Sequence, residues 1–182
     1  MIDHAHRSIF IHQRKVAGMS IITALGHSPD EPEFHRFNDG VLSPDWAQRD
    51  PSYFVFSAVR NPFDRLVSSW KYLRSTRDRP LLDCLRHPPS EGHDYRHFTR
   101  PQIDILRDPA SGLLITDDLI RYERVQQDFD RICDRTGKPR QPLPHLNASA
   151  RPRGYRDHFD TETRRLAEHM FAEDIAIFDY EF

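Results

Sequence analysis

Gln13-Arg14-Lys15-Val16-Ala17-Gly18-Met19-Ser20 joins the β-rich run Ser8-Ile9-Phe10-Ile11 to the apolar segment Ile21-Ile22-Thr23-Ala24-Leu25, which Gly26 stops. A strand, a tight loop and a helix in that order can turn backbone N–H groups and cations onto an anion. In a nucleotide triphosphatase loop the residue after the lysine is Ser or Thr, whose hydroxyl holds magnesium. Here Val16 follows Lys15, so the loop suits a phosphate or sulfate without that metal ligand. The pattern K-x-x-G-x-S recurs at many helix starts. On this segment alone an anion loop and a solvated lysine at a turn stand level.

A second cation ends the run Tyr53-Phe54-Val55-Phe56-Ser57-Ala58-Val59, which has the near-continuous apolar character of a strand covered on both faces. Arg60 follows it, and Asn61-Pro62 opens a helix on which Phe63, Leu66, Val67, Trp70 and Leu73 keep helical spacing. Ser68 lies two turns beyond Arg60, about 12 Å along the axis. A guanidinium fork and a hydroxyl so placed can share one phosphate lying beside the helix. The plainer alternatives are an Arg60–Asp64 ion pair and an exposed helix serine. A ligand with two separated anionic groups accounts for both segments together.

The elements needed to hold these residues fit an α/β fold of phosphate-loop type: a mostly parallel central sheet flanked by helices, in one compact domain over residues 1–182. Leu119–Tyr122 supplies another strand, and Val125, Phe129 and Ile132 a helix ending at Gly137. Ile103–Leu106 and Leu113–Ile115, either side of Asp108-Pro109-Ala110-Ser111-Gly112, predict a hairpin. Residues 75–102 predict loop with one short helix near Leu81–Leu85, and a helix closes the chain from about Thr161 to Ala172. The 26 Lys and Arg nearly balance 28 Asp and Glu, for a net charge of −2. That balance speaks against a nucleic-acid partner bound through bulk charge. Mean hydropathy is −0.73 and no apolar run approaches the ~20 residues of a membrane span, so no membrane association is expected. With Cys84 and Cys133 as the only cysteines and no secretory signal at residues 1–7, the expected setting is the cytoplasm. The eleven histidines form no H-E-x-x-H or comparable metal motif.

Ile9–Ile21 resembles the I-F-I-H-I-P-K-T-A-G-T-S segment that opens the sulfotransferase family related to the carbohydrate and heparan sulfate sulfotransferases. Phe56–Trp70, with Val59-Arg60-Asn61-Pro62 and Arg65-Leu66-Val67-Ser68, is similar to that family's F-V-R-N-P-x-x-R-L-x-S-x-Y block. Arg100–Asp104, Tyr122–Phe129, Leu143–Ser149 and Phe171–Tyr180 continue the resemblance in family order. It implies transfer of a sulfuryl group from 3′-phosphoadenosine 5′-phosphosulfate (PAPS) to a hydroxyl or similar nucleophile of a small acceptor, with adenosine 3′,5′-bisphosphate as the product. Arg14, Lys15, Val16, Ala17, Gly18, Met19 and Ser20 would wrap the 5′-phosphosulfate. Arg60 and Ser68 would take the 3′-phosphate, and Leu146, Asn147 and Ser149 would line the far side of the donor. Lys15 would meet charge building on the bridging oxygen of the leaving phosphate. Arg14 stands where the family has Pro, and Val16 and Met19 replace two Thr, which shifts anion binding toward backbone N–H groups.

The resemblance also implies a His or Glu base between the two anion motifs. His35, in Glu33-Phe34-His35-Arg36-Phe37, ranks first, with His27 and Glu33 behind it. His12 is expected to be structural. His97 and Arg100 border either an acceptor pocket or only the fold. Two other readings compete: a magnesium-dependent P-loop kinase of small molecules, and a non-catalytic protein of the same fold that senses a nucleotide or sulfated ligand. A chain of this length predicts little material beyond the donor-binding fold, and so a small acceptor rather than a long polymer.

Overall fold

The computed structural model describes residues 1–28, 50–144, 146 and 154–182. They fall into two compact units, Met1–Val59 with Ile105–Asn147 and Arg60–Asp104 with Ala148–Phe182. In the first unit, strands β1 (Ile2–Asp3), β2 (Ser8–Ile11), β3 (Phe54–Val59) and β4 (Asp118–Arg121) pair in the order β1-β2-β3-β4. β1 is antiparallel to β2, whereas β2, β3 and β4 run parallel, with Ile11 opposite Ser57 and Val59 opposite Arg121. Parallel strands put their carboxyl ends on one edge, where ligands of open α/β sheets collect. Alternate residues Phe10, Phe56, Ala58 and Ile120 share one sheet face and pack against two helices, α1 (Gly18–Ala24) through Ile21, Ile22 and Ala24 and a later helix through Phe129, Ile132 and Cys133.

The Asp117 carboxylate accepts from the Val55 N–H at 2.7 Å, extending the β3–β4 ladder by a side chain. Across the sheet, Asp3 is ion-paired with Lys138 at 2.5 Å, and the same ammonium donates to the Leu25 carbonyl at 3.3 Å beyond the end of α1. Burial alone would raise the Asp3 pKa. Hydrogen bonds from Lys138 and the His6 N–H outweigh burial and lower it from 3.8 to about 2. A depressed folded-state pKa contributes stability above the unfolded value, and that contribution fades as pH falls through the folded one. Asp3→Asn is therefore expected to cost about 1 kcal/mol at pH 7. Its denaturant midpoint should converge on that of the wild type as pH approaches 2, and equal midpoints at pH 7 would remove the pair from the account.

The second unit is helical. Here α2 (Pro62–Tyr72), α3 (Leu81–Arg86) and α4 (Gly92–Phe98) lead to α5 (Ile103–Leu106), in which the chain passes back to the first unit and its α6 (Val125–Thr136), and α7 (Thr161–Met170) and α8 (Ala172–Phe178) follow in the second. Phe63, Leu66, Val67, Trp70 and Leu73 of the α2 stripe, expected from their spacing, join Leu81, Cys84, Leu85, Phe98, Ala167 and Phe171 in one core. Two expectations are corrected. Gly92–Phe98 is a helix where loop was expected, and Ile103–Leu106 is a helical turn rather than a hairpin arm, leaving only an Arg107–Leu114 bridge around the 108–112 turn. Among the described residues no helix is long and apolar enough to cross a membrane.

Candidate functional site

At the carboxyl edge of the sheet, residues 12–17 link β2 to α1. Gln13 is buried beneath this loop, its Nε2 directed at the Ser57 hydroxyl at 3.4 Å while Ser57 donates to the Ile11 carbonyl at 2.7 Å. The loop is thereby tied to both β2 and β3. Lys15 and Ala17 both adopt left-handed backbone, with φ of 68° and 62°. Such conformations cost a non-glycine residue roughly 1 kcal/mol or more each and persist where the surroundings impose them. Alternating left-handed residues turn successive N–H groups toward a common concavity, the geometry that binds anions.

Gly18 has no positive φ, so its requirement is for space: a Cβ there would overlap the His12 imidazole and come 3.3 Å from the Gln13 carbonyl. His12 itself is buried beside Phe10, ring centroids 6.4 Å apart, which suits the structural role expected for it. Val16 is fully buried in the sheet core, so its side chain is packing and only its backbone can face a ligand. Arg14, Lys15, Ala17 and Met19 are half-buried and Ser20 is buried on α1. No acidic residue stands in 12–20, nor in the first turn of α1.

In the second unit, Arg60 precedes α2, whose first turn is built by Asn61 and Pro62. Asn61 Oδ1 accepts from the Phe63 N–H at 3.0 Å, and its Nδ2 donates to the Glu181 carbonyl at 2.7 Å. The Arg60 guanidinium is nearly enclosed and gives both Nε and Nη2 to one Asp64 oxygen, at 2.8 and 2.7 Å. The ion pair weighed in the sequence is thus present, and a phosphate at Arg60 must join or displace that carboxylate. Ser68 is buried on the same helix. Arg65, one turn past Arg60, donates from Nη2 to the Arg100 carbonyl at 2.6 Å and lies 5.4 Å from the Phe171 ring centre. Burial and the nearby Arg60 charge lower its pKa, while Asp174 works against them.

Of the other anticipated residues, Leu146 is 42% exposed. His27 is half-buried just past α1, with its N–H on the Ile22 carbonyl at 3.1 Å. His35, Glu33, Asn147 and Ser149 lie outside the described residues. Sequence reasoning assigned no role to Gln102 or Asp174, although both fall in blocks that carried the resemblance; their buried hydrogen bonds to the Arg60 region are visible only in three dimensions.

A small, mostly parallel sheet flanked by helices, with a cationic loop free of acidic residues on its carboxyl edge, defines an α/β protein of the kind that places ligands at strand ends. The sulfotransferase family model matches residues 25–181, and the chain belongs to the sulfotransferase family. The match begins after the 12–20 loop, so that loop stands on its own geometry. No curated protein and no solved structure matches the chain.

Proposed function

We propose that the protein transfers the sulfuryl group of PAPS to a hydroxyl or similar nucleophile of a small-molecule or carbohydrate acceptor. The observation that carries this reading is the loop of residues 12–17: paired cations, left-handed backbone at Lys15 and Ala17, and no acidic residue within its own sequence. Those residues fit a phosphosulfate donor by charge and by donor set, and Val16 contributes a backbone N–H where relatives offer a hydroxyl. When bound, PAPS supplies the activated sulfur. Lys15 would hold its ammonium beside the leaving phosphate of bound PAPS and stabilise the charge that sulfuryl transfer builds there. Arg14 and the backbone N–H groups through Ser20 bind the 5′-phosphosulfate, and Arg60 with Ser68 binds the 3′-phosphate. His35, ranked ahead of His27 and Glu33 as the base, would take the acceptor proton.

The test is thermal. Adenosine 3′,5′-bisphosphate should raise Tm by mass action on the folded state, and Arg60→Ala should abolish most of the rise. A wild-type protein unmoved by the bisphosphate but stabilised by ATP with magnesium would replace this reading with the kinase. Binding without turnover of PAPS across sugars, phenols and peptides would replace it with the non-catalytic sensor.

A further inference from the structure

Arg60 is held at its backbone as well as through its guanidinium. The Gln102 side-chain amide accepts from the Arg60 N–H through Oε1 at 2.9 Å and donates from Nε2 to the Arg60 carbonyl at 2.9 Å, a two-point clamp on one residue's backbone. It does so just where β3 stops. Gln102 is in turn fixed by Asp174, whose Oδ2 accepts from the Gln102 N–H at 2.8 Å and from Nε2 at 3.2 Å, while Oδ1 accepts from the Ile103 N–H at 2.9 Å. Both side chains are essentially excluded from water. The amide has only one satisfactory orientation, because a flip would set its oxygen against the Arg60 carbonyl and the Asp174 carboxylate at once.

We infer that Gln102 and Asp174 are positioning residues that aim the Arg60 side chain at the 3′-phosphate of the nucleotide; this rests on the reading of Arg60 given above. The direction of a Cα–Cβ bond follows from the backbone on either side of it, so a clamp on the Arg60 N–H and carbonyl sets where its guanidinium starts from. Asp64 then holds the fork at the far end. Deleting the clamp leaves buried partners unsatisfied and lets the Arg60 backbone turn.

The experiment compares dissociation constants for adenosine 3′,5′-bisphosphate and adenosine 5′-monophosphate, which lacks the 3′-phosphate. If wild type shows no preference for the bisphosphate, or Arg60→Ala keeps it, the assignment of Arg60 fails irrespective of Gln102. With that preference established, Gln102→Met, close in volume and without hydrogen bonds at the amide position, should reduce it about tenfold while leaving monophosphate affinity within twofold. A folded Gln102→Met protein with an unchanged preference overturns the inference, as does an equal loss for both nucleotides, which a merely structural role would give. If Gln102→Met does not fold, Asp174→Asn decides by the same ratio: a fall of threefold or more supports positioning, and a smaller one overturns it.

Discussion

Lys15→Ala should lower kcat for sulfuryl transfer by about 100- to 1000-fold, the loss typical of removing one preorganised donor to an oxygen that gains charge in the transition state. The expectation comes from where the lysine stands: its backbone is left-handed, in a loop anchored beneath by buried Gln13 and closed by Gly18. A charge acting on the leaving oxygen affects kcat more than KM, because that oxygen carries little extra charge in the ground state. Bisphosphate affinity should therefore fall far less than the rate. The measurement uses PAPS and whichever acceptor an initial panel of sugars, phenols and peptides identifies. A variant turning over within threefold of wild type would remove Lys15 from the chemistry and leave it as a binding residue.

Gly18→Ala should lower Tm by several degrees and weaken bisphosphate binding more than tenfold. Helix propensity alone favours Ala over Gly by about 1 kcal/mol, and Gly18 begins α1 without a positive φ, so propensity points to stabilisation. The opposite sign is expected because the added methyl meets the His12 imidazole, which burial beside Phe10 prevents from swinging clear. The loop must then move, and Lys15 with it. The double variant His12→Ala/Gly18→Ala opens the occupied space and should recover much of the Tm and of the binding, a strongly non-additive pair. Additive losses would show that the overlap is not what makes glycine necessary.

The parallel core was readable because β2 and β3 are short, apolar and bounded by turn residues, and because α2 and α6 carry periodic stripes, the first opened by Asn61-Pro62 and the second stopped by Gly137. β1 was missed: two residues offer no period, and its pairing to Ile9 and Ser8 is tertiary. Gly92–Phe98 reads as loop because only His97 and Phe98 are buried, leaving no stripe. Ile103–Leu106 is the clearest case. Three apolar residues around Asp104 suit a strand or a helix equally, and the choice is made by Asp174, which accepts from the Ile103 N–H and draws the first turn together across the sequence. The same distance hid the Arg60 clamp. The lysine loop was legible as a motif, but the need for glycine was not: sequence alone does not show His12 in the way of a Cβ.

Each unit is assembled from two stretches of chain, with the first interrupted by most of the second's helices and the second interrupted by the first's last strand and helix. During synthesis, β4 and α6 emerge after α2 to α5, and Asp174 emerges later still. The carboxylate that caps Ile103 and steadies Gln102 thus reaches its partners only after β4 and α6 have left the ribosome. Until then the Gln102 clamp on Arg60 lacks its support and the helical core lacks Ala167 and Phe171. Native contacts of such long sequence separation slow folding. Completion of the second unit therefore waits for α7 and α8, which arrive long after α2 has been made.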